Sequence, residues 1–127
     1  MVRTSEQKVP ARRTNAYRPR TIEYEARAIL RKRGFPVVIR NADAALPVSL
    51  IAWSSDGGVH FYRVVASRRA VASASDAAAL FPDEIGQLRT IPRSALGTVN
   101  LWIHHEQGWK CYQVFSGGLA EEVAHVA

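Results

Sequence analysis

Apolar positions along this chain recur with two different periods. In TIEYEARAILRKRGF (21–35), Ile22, Ala26, Ile29, Leu30 and Arg33 fall at i, i+4, i+7, i+8 and i+11. That spacing predicts a helix with one apolar stripe. Thr21 is placed to cap its start, and Gly34 to take the left-handed position after its end. Arg31, Lys32 and Arg33 crowd the last turn, where cations suit the helix dipole. Three strands are predicted next: PVVIRNA (36–42), PVSLIAWS (47–54) and VHFYRVVAS (59–67). The second is nearly continuous in apolar residues, as expected of a strand covered on both faces. Asp56-Gly57-Gly58 marks a hairpin between the second and third. SDAAALFPDEIGQLRTI (75–91) is helical in composition, with Pro82 either breaking the helix or opening a second piece at its first position. TVNLWIHHE (98–106) and WKCYQVFS (109–116) predict another hairpin across Gln107-Gly108, and LAEEVAHV (119–126) predicts a terminal helix. The order α, βββ, α, ββ describes a mixed sheet with helices against it.

At 127 residues the chain is sized for one domain. Residues 1–20 are polar, basic and without apolar periodicity, and predict a flexible arm; residues 21–127 predict a single α/β domain. No apolar run reaches the roughly 18–20 residues that span a bilayer, and no apolar leader follows the N-terminus. One cysteine, Cys111, cannot form an internal disulfide, which points to a reducing cytoplasm. The charge is lopsided: residues 1–40 carry 11 Lys/Arg against 3 Asp/Glu, residues 41–127 carry 6 against 8. A basic end on a near-neutral body favours a polyanionic partner.

The stretch FYRVVASRR (61–69) decides the direction of the functional argument. With EYEARAILRKRGFPVVIR and PVSLIAW it resembles the archaeal Holliday junction resolvase family and the wider PD-(D/E)XK nuclease superfamily, over residues 21–116. The family places a metal-site Glu eleven residues before a helix-ending Gly, and Glu23 stands eleven before Gly34. The resemblance implies a restriction-endonuclease-like α-βββ-α-β(β) core. It also implies a divalent-metal site, and there the pattern breaks. The metal-binding Asp falls on Ser49, and the Glu and Lys of the Glu-x-Lys pair fall on Val64 and Ala66. Moving the third strand by one position gives Arg63 and Val65 instead. Mg²⁺ wants hard oxygen ligands in near-octahedral array, and the lysine activates water and stabilises developing phosphate charge. Glu23, Ser49, Val64 and Ala66 do not supply that set, so the expectation is a pseudo-nuclease with no cofactor. Mg²⁺ belongs only to the alternative of an active endonuclease with relocated residues. Asp43 and Glu25 are the carboxylates available for such relocation, but Glu23 and Glu25 lie about 200° apart around a helix, so one pocket receives only one of them. Glu23 also has a structural explanation, an i,i+4 ion pair with Arg27.

Other candidate chemistry is weaker. His104 and His105 are adjacent on a strand and point to opposite faces, while His60 and His125 are isolated, so no metal cluster is expected. Cys111 alternates within a core strand and reads as a buried thiol. SGG (116–118) and DGG (56–58) are turns, too short for a phosphate loop. The basic residues carry the functional expectation. Arg12, Arg13, Arg18 and Arg20 from the arm, with Arg63, Arg68 and Arg69 leaving the third strand, are read as contacts to a nucleic-acid backbone, DNA foremost. Tyr17 and Trp53 are candidates for packing on sugar or base faces. Trp102, Trp109 and Tyr112 offer either a homodimer interface or core. The remaining alternative is a regulatory subunit of an active nuclease.

Overall fold

The structure, a computed structural model, describes residues 19–122. Helix α1 (Pro19–Lys32) is followed by strands β1 (Val37–Arg40), β2 (Leu50–Trp53) and β3 (Val59–Ala66). Two short helices follow, α2 (Ala74–Leu80) and α3 (Pro82–Leu88), then β4 (Val99–His105), β5 (Gly108–Phe115) and β6 (Gly118–Glu121). The six strands form one open mixed sheet in chain order, β1 to β6. Every neighbouring pair is antiparallel except β3 and β4, which run parallel with Phe61 opposite Val99. The parallel pair requires a crossover, and α2 and α3 lie in it.

Helix α1 starts at Pro19, two residues before the expected cap at Thr21. Proline suits a first helical turn because its fixed φ is helical and its missing N–H is not needed there. The far end is as expected. Gly34 has φ 101°, the Gly34 amide donates to Arg31 O and the Phe35 amide to Leu30 O. These two bonds close a Schellman motif. Phe35 then packs into the cluster that contains Leu30. Pro82 does open a second helix: α2 ends at Leu80 with Phe81 as its C-cap, and Pro82 begins α3 with Asp83 and Glu84 in its first turn. Ser73 caps α2 by accepting from the Asp76 amide.

Two apolar layers sandwich the sheet. Ile22, Ala26 and Leu30 of α1 pack on Val38, Leu50, Ala52, Tyr62, Val64 and Trp102. On the other face Ala77, Ile85 and Leu88 pack on Leu101, Ile103, Tyr112 and Val114. The strand buried on both faces is β4, where every residue but His104 is buried. The expected candidate, β2, is buried only at alternate positions, and Ile51 and Trp53 are half-buried. Its continuous apolar run reflects composition; α2 and α3 make their sheet contacts on β4 and β6 instead.

Two further expectations are corrected. Residues 118–121 are strand β6, not the start of a helix, pairing with β5 across Ser116-Gly117. Leu119 lies against the core cluster, and this tertiary pairing outweighs the helix propensity of Leu-Ala-Glu-Glu. Residues 123–126 of that expected helix lie outside the described residues. The β4–β5 turn is Glu106-Gln107, one residue earlier than expected, because Gly108 (φ 121°) already pairs with His105. Trp102 and Tyr112 are fully buried in this chain's own core, so they present no surface to a second copy. Among the described residues, no helix is long and apolar enough to cross a membrane.

Candidate functional site

Strand β2 stops at Leu50, opposite Tyr62. Beyond that point β3 continues from Arg63 to Ala66 paired with β4 on one edge but with no strand on the β2 side, and a notch opens in the sheet. The loop from Asn41 to Ser49 folds across the top. Asn41 holds that loop: its Nδ2 donates to Asp43 O, Leu46 O and Val48 O at 2.9, 3.1 and 2.9 Å, and its Oδ1 accepts from the Asp43 amide. Helix α1 forms one wall with Ile22 and Glu23, and the α3 region forms the other with Phe81, Glu84, Gln87 and Thr90. The result is an open cleft of about 900 Å³.

Glu23, Ser49, Val64 and Ala66 all line this cleft. Four positions spread over 44 residues of chain meet because α1 lies over β3 and because β2 and β3 are antiparallel neighbours. None of them has a free metal-binding group. The Ser49 hydroxyl accepts from the Val64 amide at 3.0 Å, and Ser49 is buried. In effect the serine replaces the missing rung of the β2–β3 ladder. Glu23 accepts from Arg40 Nε at 2.9 Å, and its side chain is only 14% exposed. Its partner is therefore Arg40, not the expected Arg27. The Arg40 guanidinium also lies 5.5 Å from the Tyr24 ring centre. Glu23 pushes the Arg40 pKa further up, through the hydrogen bond first and its charge second.

The relocation candidates divide. Asp43 lines the cleft, but its Oδ1 accepts from the Ala45 amide and serves its own turn. Glu25 is elsewhere: it accepts from Trp109 Nε1 at 2.9 Å and lies 3.8 Å from His104 Nε2. Glu84 reaches the cleft from α3 and was not singled out from sequence. Among the described residues, no three His, Cys, Asp or Glu side chains come together as a metal site. A divalent ion of the kind the resemblance implies does not fit this donor set. One carboxylate is bound to a guanidinium, the neighbouring hydroxyl to an amide, and Val64 and Ala66 offer only hydrocarbon.

Of the basic residues, Arg63 is in the cleft. Its Nη1 makes only long contacts, 3.3 Å to Pro47 O and 3.5 Å to Gln87 Oε1. Arg68 and Arg69 follow β3 and are exposed, and Arg20 is exposed on the first turn of α1. Arg12, Arg13 and Arg18 lie outside the described residues, as do Tyr17 and His125. Arg33 has a structural role, bonded to Glu122 at 3.2 Å with its guanidinium 5.1 Å from the Trp102 ring centre.

The remaining polar groups build structure. His60 bridges Ser54 Oγ (2.9 Å) and Thr98 Oγ1 (2.8 Å), tying the β2–β3 hairpin to the start of β4. Burial lowers its pKa, against the opposing pull of Asp56. His104 faces Glu25, while His105 is buried and accepts from the Gln107 amide. Burial pushes the Cys111 thiol up to about 12, so it is a poor nucleophile.

Sequence reasoning missed Arg40 and Asn41, the two residues that shape one side of the cleft. Their signal was present: a cation and an amide closing a β-branched strand just before a loop. Compared with known proteins, the chain matches no protein-family model and no curated sequence.

Proposed function

We propose that this protein binds nucleic acid without cutting it, on a scaffold of the restriction-endonuclease type whose catalytic groups have been replaced. The observation that carries the reading is the cleft. The four positions that correspond to metal and lysine sites in the resembled nucleases line a single notch, and each side chain there is neutral or already paired. The element order around the notch agrees with the resemblance. Arg63 stands in the cleft and Arg68 and Arg69 are exposed just beyond it. Phosphate contacts of this kind supply affinity with little sequence preference.

The test is a binding and nicking assay on four-way, duplex and single-stranded DNA, with Mg²⁺ or Mn²⁺ present. Salt-sensitive binding with intact DNA is the expected result. Deleting residues 1–18, which leaves α1 whole, is expected to weaken binding and flatten its salt dependence. Cleavage that Glu23→Ala abolishes would establish the active endonuclease instead. Absence of any affinity at physiological salt would point to a protein-binding regulatory role.

A further inference from the structure

We infer that Arg40 is a resident cation that takes over the phosphate-holding task of a divalent metal in this cleft, gripping one phosphodiester of a bound strand. The inference rests on the nucleic-acid reading above and names the group that carries it. Glu23, the one carboxylate that the resemblance assigns to a metal, is neutralised from within the chain by Arg40 at 2.9 Å. The carboxylate is mostly covered, whereas the Arg40 side chain is 34% exposed. Glu23 is therefore the fixed partner, and the guanidinium is the one that meets solvent. The bond leaves from Nε to a single carboxylate oxygen, so the terminal nitrogens are not committed to Glu23. A guanidinium presents five donors in a flat fork that matches phosphate oxygens. Tyr24 flanks the group and restricts its sweep.

On the other wall, Arg63 is held only by the two long contacts to Pro47 O and Gln87 Oε1. It is a second guanidinium able to turn toward an anion. Ser49, Val64 and Ala66 line the same cleft. These three carry no charge to repel a phosphodiester and no lysine to activate water against it; the like charges of the cleft are Glu23, paired to Arg40, Asp43, which serves its own turn, and Glu84 on the α3 wall. Arg40 keeps its Nε on Glu23 and turns its terminal nitrogens to phosphate oxygens, with no metal to recruit. Binding through this site is accordingly independent of divalent ions, and Glu23 acts as a competitor that tunes it.

The experiment is fluorescence anisotropy of a fluorescein-labelled DNA duplex and four-way junction with the full-length protein, in EDTA and in Mg²⁺. Parent affinity is expected to be the same in both. Arg40→Ala is expected to weaken binding about tenfold, the loss of one charge-assisted contact, and to lower the salt slope by about one. Glu23→Gln keeps the shape and removes the competing charge, so tightening of roughly threefold is expected. Because the two variants move affinity in opposite directions, misfolding cannot mimic the pattern; circular dichroism checks the fold of each. If the parent binds but both variants bind equally well, the inference is overturned and the nucleic-acid reading stands. Binding that EDTA abolishes overturns it in the same way. A parent that binds neither probe overturns both.

Discussion

Replacing Ser49 with alanine removes one oxygen and tests whether its bond to the Val64 amide supports the notch. The hydroxyl accepts from the Val64 amide at 3.0 Å, and Ser49 is only 7% exposed. Alanine leaves that amide facing the space where β2 has ended, with no acceptor in place. A buried donor stranded in this way costs about 1–3 kcal/mol. The notch opens to solvent, so water reaches part of the gap, and we expect the lower part of that range, about 1–2 kcal/mol. Urea unfolding followed by tryptophan fluorescence reads this directly. With a slope of about 1–3 kcal/mol per molar, the midpoint falls by roughly 0.5–1 M while the slope is unchanged. Ser55→Ala, in the exposed turn of the same hairpin, is the control and should stay within about 0.5 kcal/mol of the parent. A Ser49→Ala midpoint that coincides with the control would show that the hydroxyl supports nothing at the edge of the notch.

Burial depresses the folded-state pKa of His60, so the folded protein favours the neutral ring. Its contribution to stability is complete above the unfolded value of about 6.5 and is lost as pH falls through the folded value. Urea midpoints should therefore drop between pH 7.5 and pH 5.5 in the parent, and the drop should shrink in His60→Gln. Cys111, with its pKa pushed up to about 12 by burial, should resist a disulfide-exchange reagent at pH 8 and react fully once urea unfolds the chain; rapid labelling of the native protein would contradict its placement. At Gly97 an added Cβ would collide with the Val59 carbonyl, so Gly97→Ala must displace the start of β4. A destabilisation of about 1–3 kcal/mol is expected, and an unperturbed urea midpoint would refute the close approach.

The sequence was most legible where one residue type settles the local backbone. Gly34 and Pro82 each mark a boundary that the structure keeps, because positive φ and a missing amide have few alternatives. It was least legible where sheet neighbours decide. Glu23 looked adequately explained by Arg27 one helical turn away, yet the cation that reaches it stands at the end of β1. That choice depends on how α1 lies across the sheet, which no local pattern encodes. Leu-Ala-Glu at 119–121 reads as helix in isolation and becomes strand because β5 offers an edge. In the same way, the convergence of Glu23 with Ser49 and Val64 follows from the resemblance and the sheet register together, and the loop clamp of Asn41 from neither.

The single parallel seam between β3 and β4 also bears on how this chain reaches its native state. On either side of it the pairing is between consecutive strands, and most of those loops are tight turns. The seam itself closes over the whole stretch from Ser67 to Thr98, roughly three doublings longer than the β2–β3 turn, at about 0.6 kcal/mol of chain entropy per doubling. The two antiparallel halves are thus poised to assemble early and independently, and the step that joins them, zippering Phe61 to Val99 and onward, is the natural place for the kinetic bottleneck.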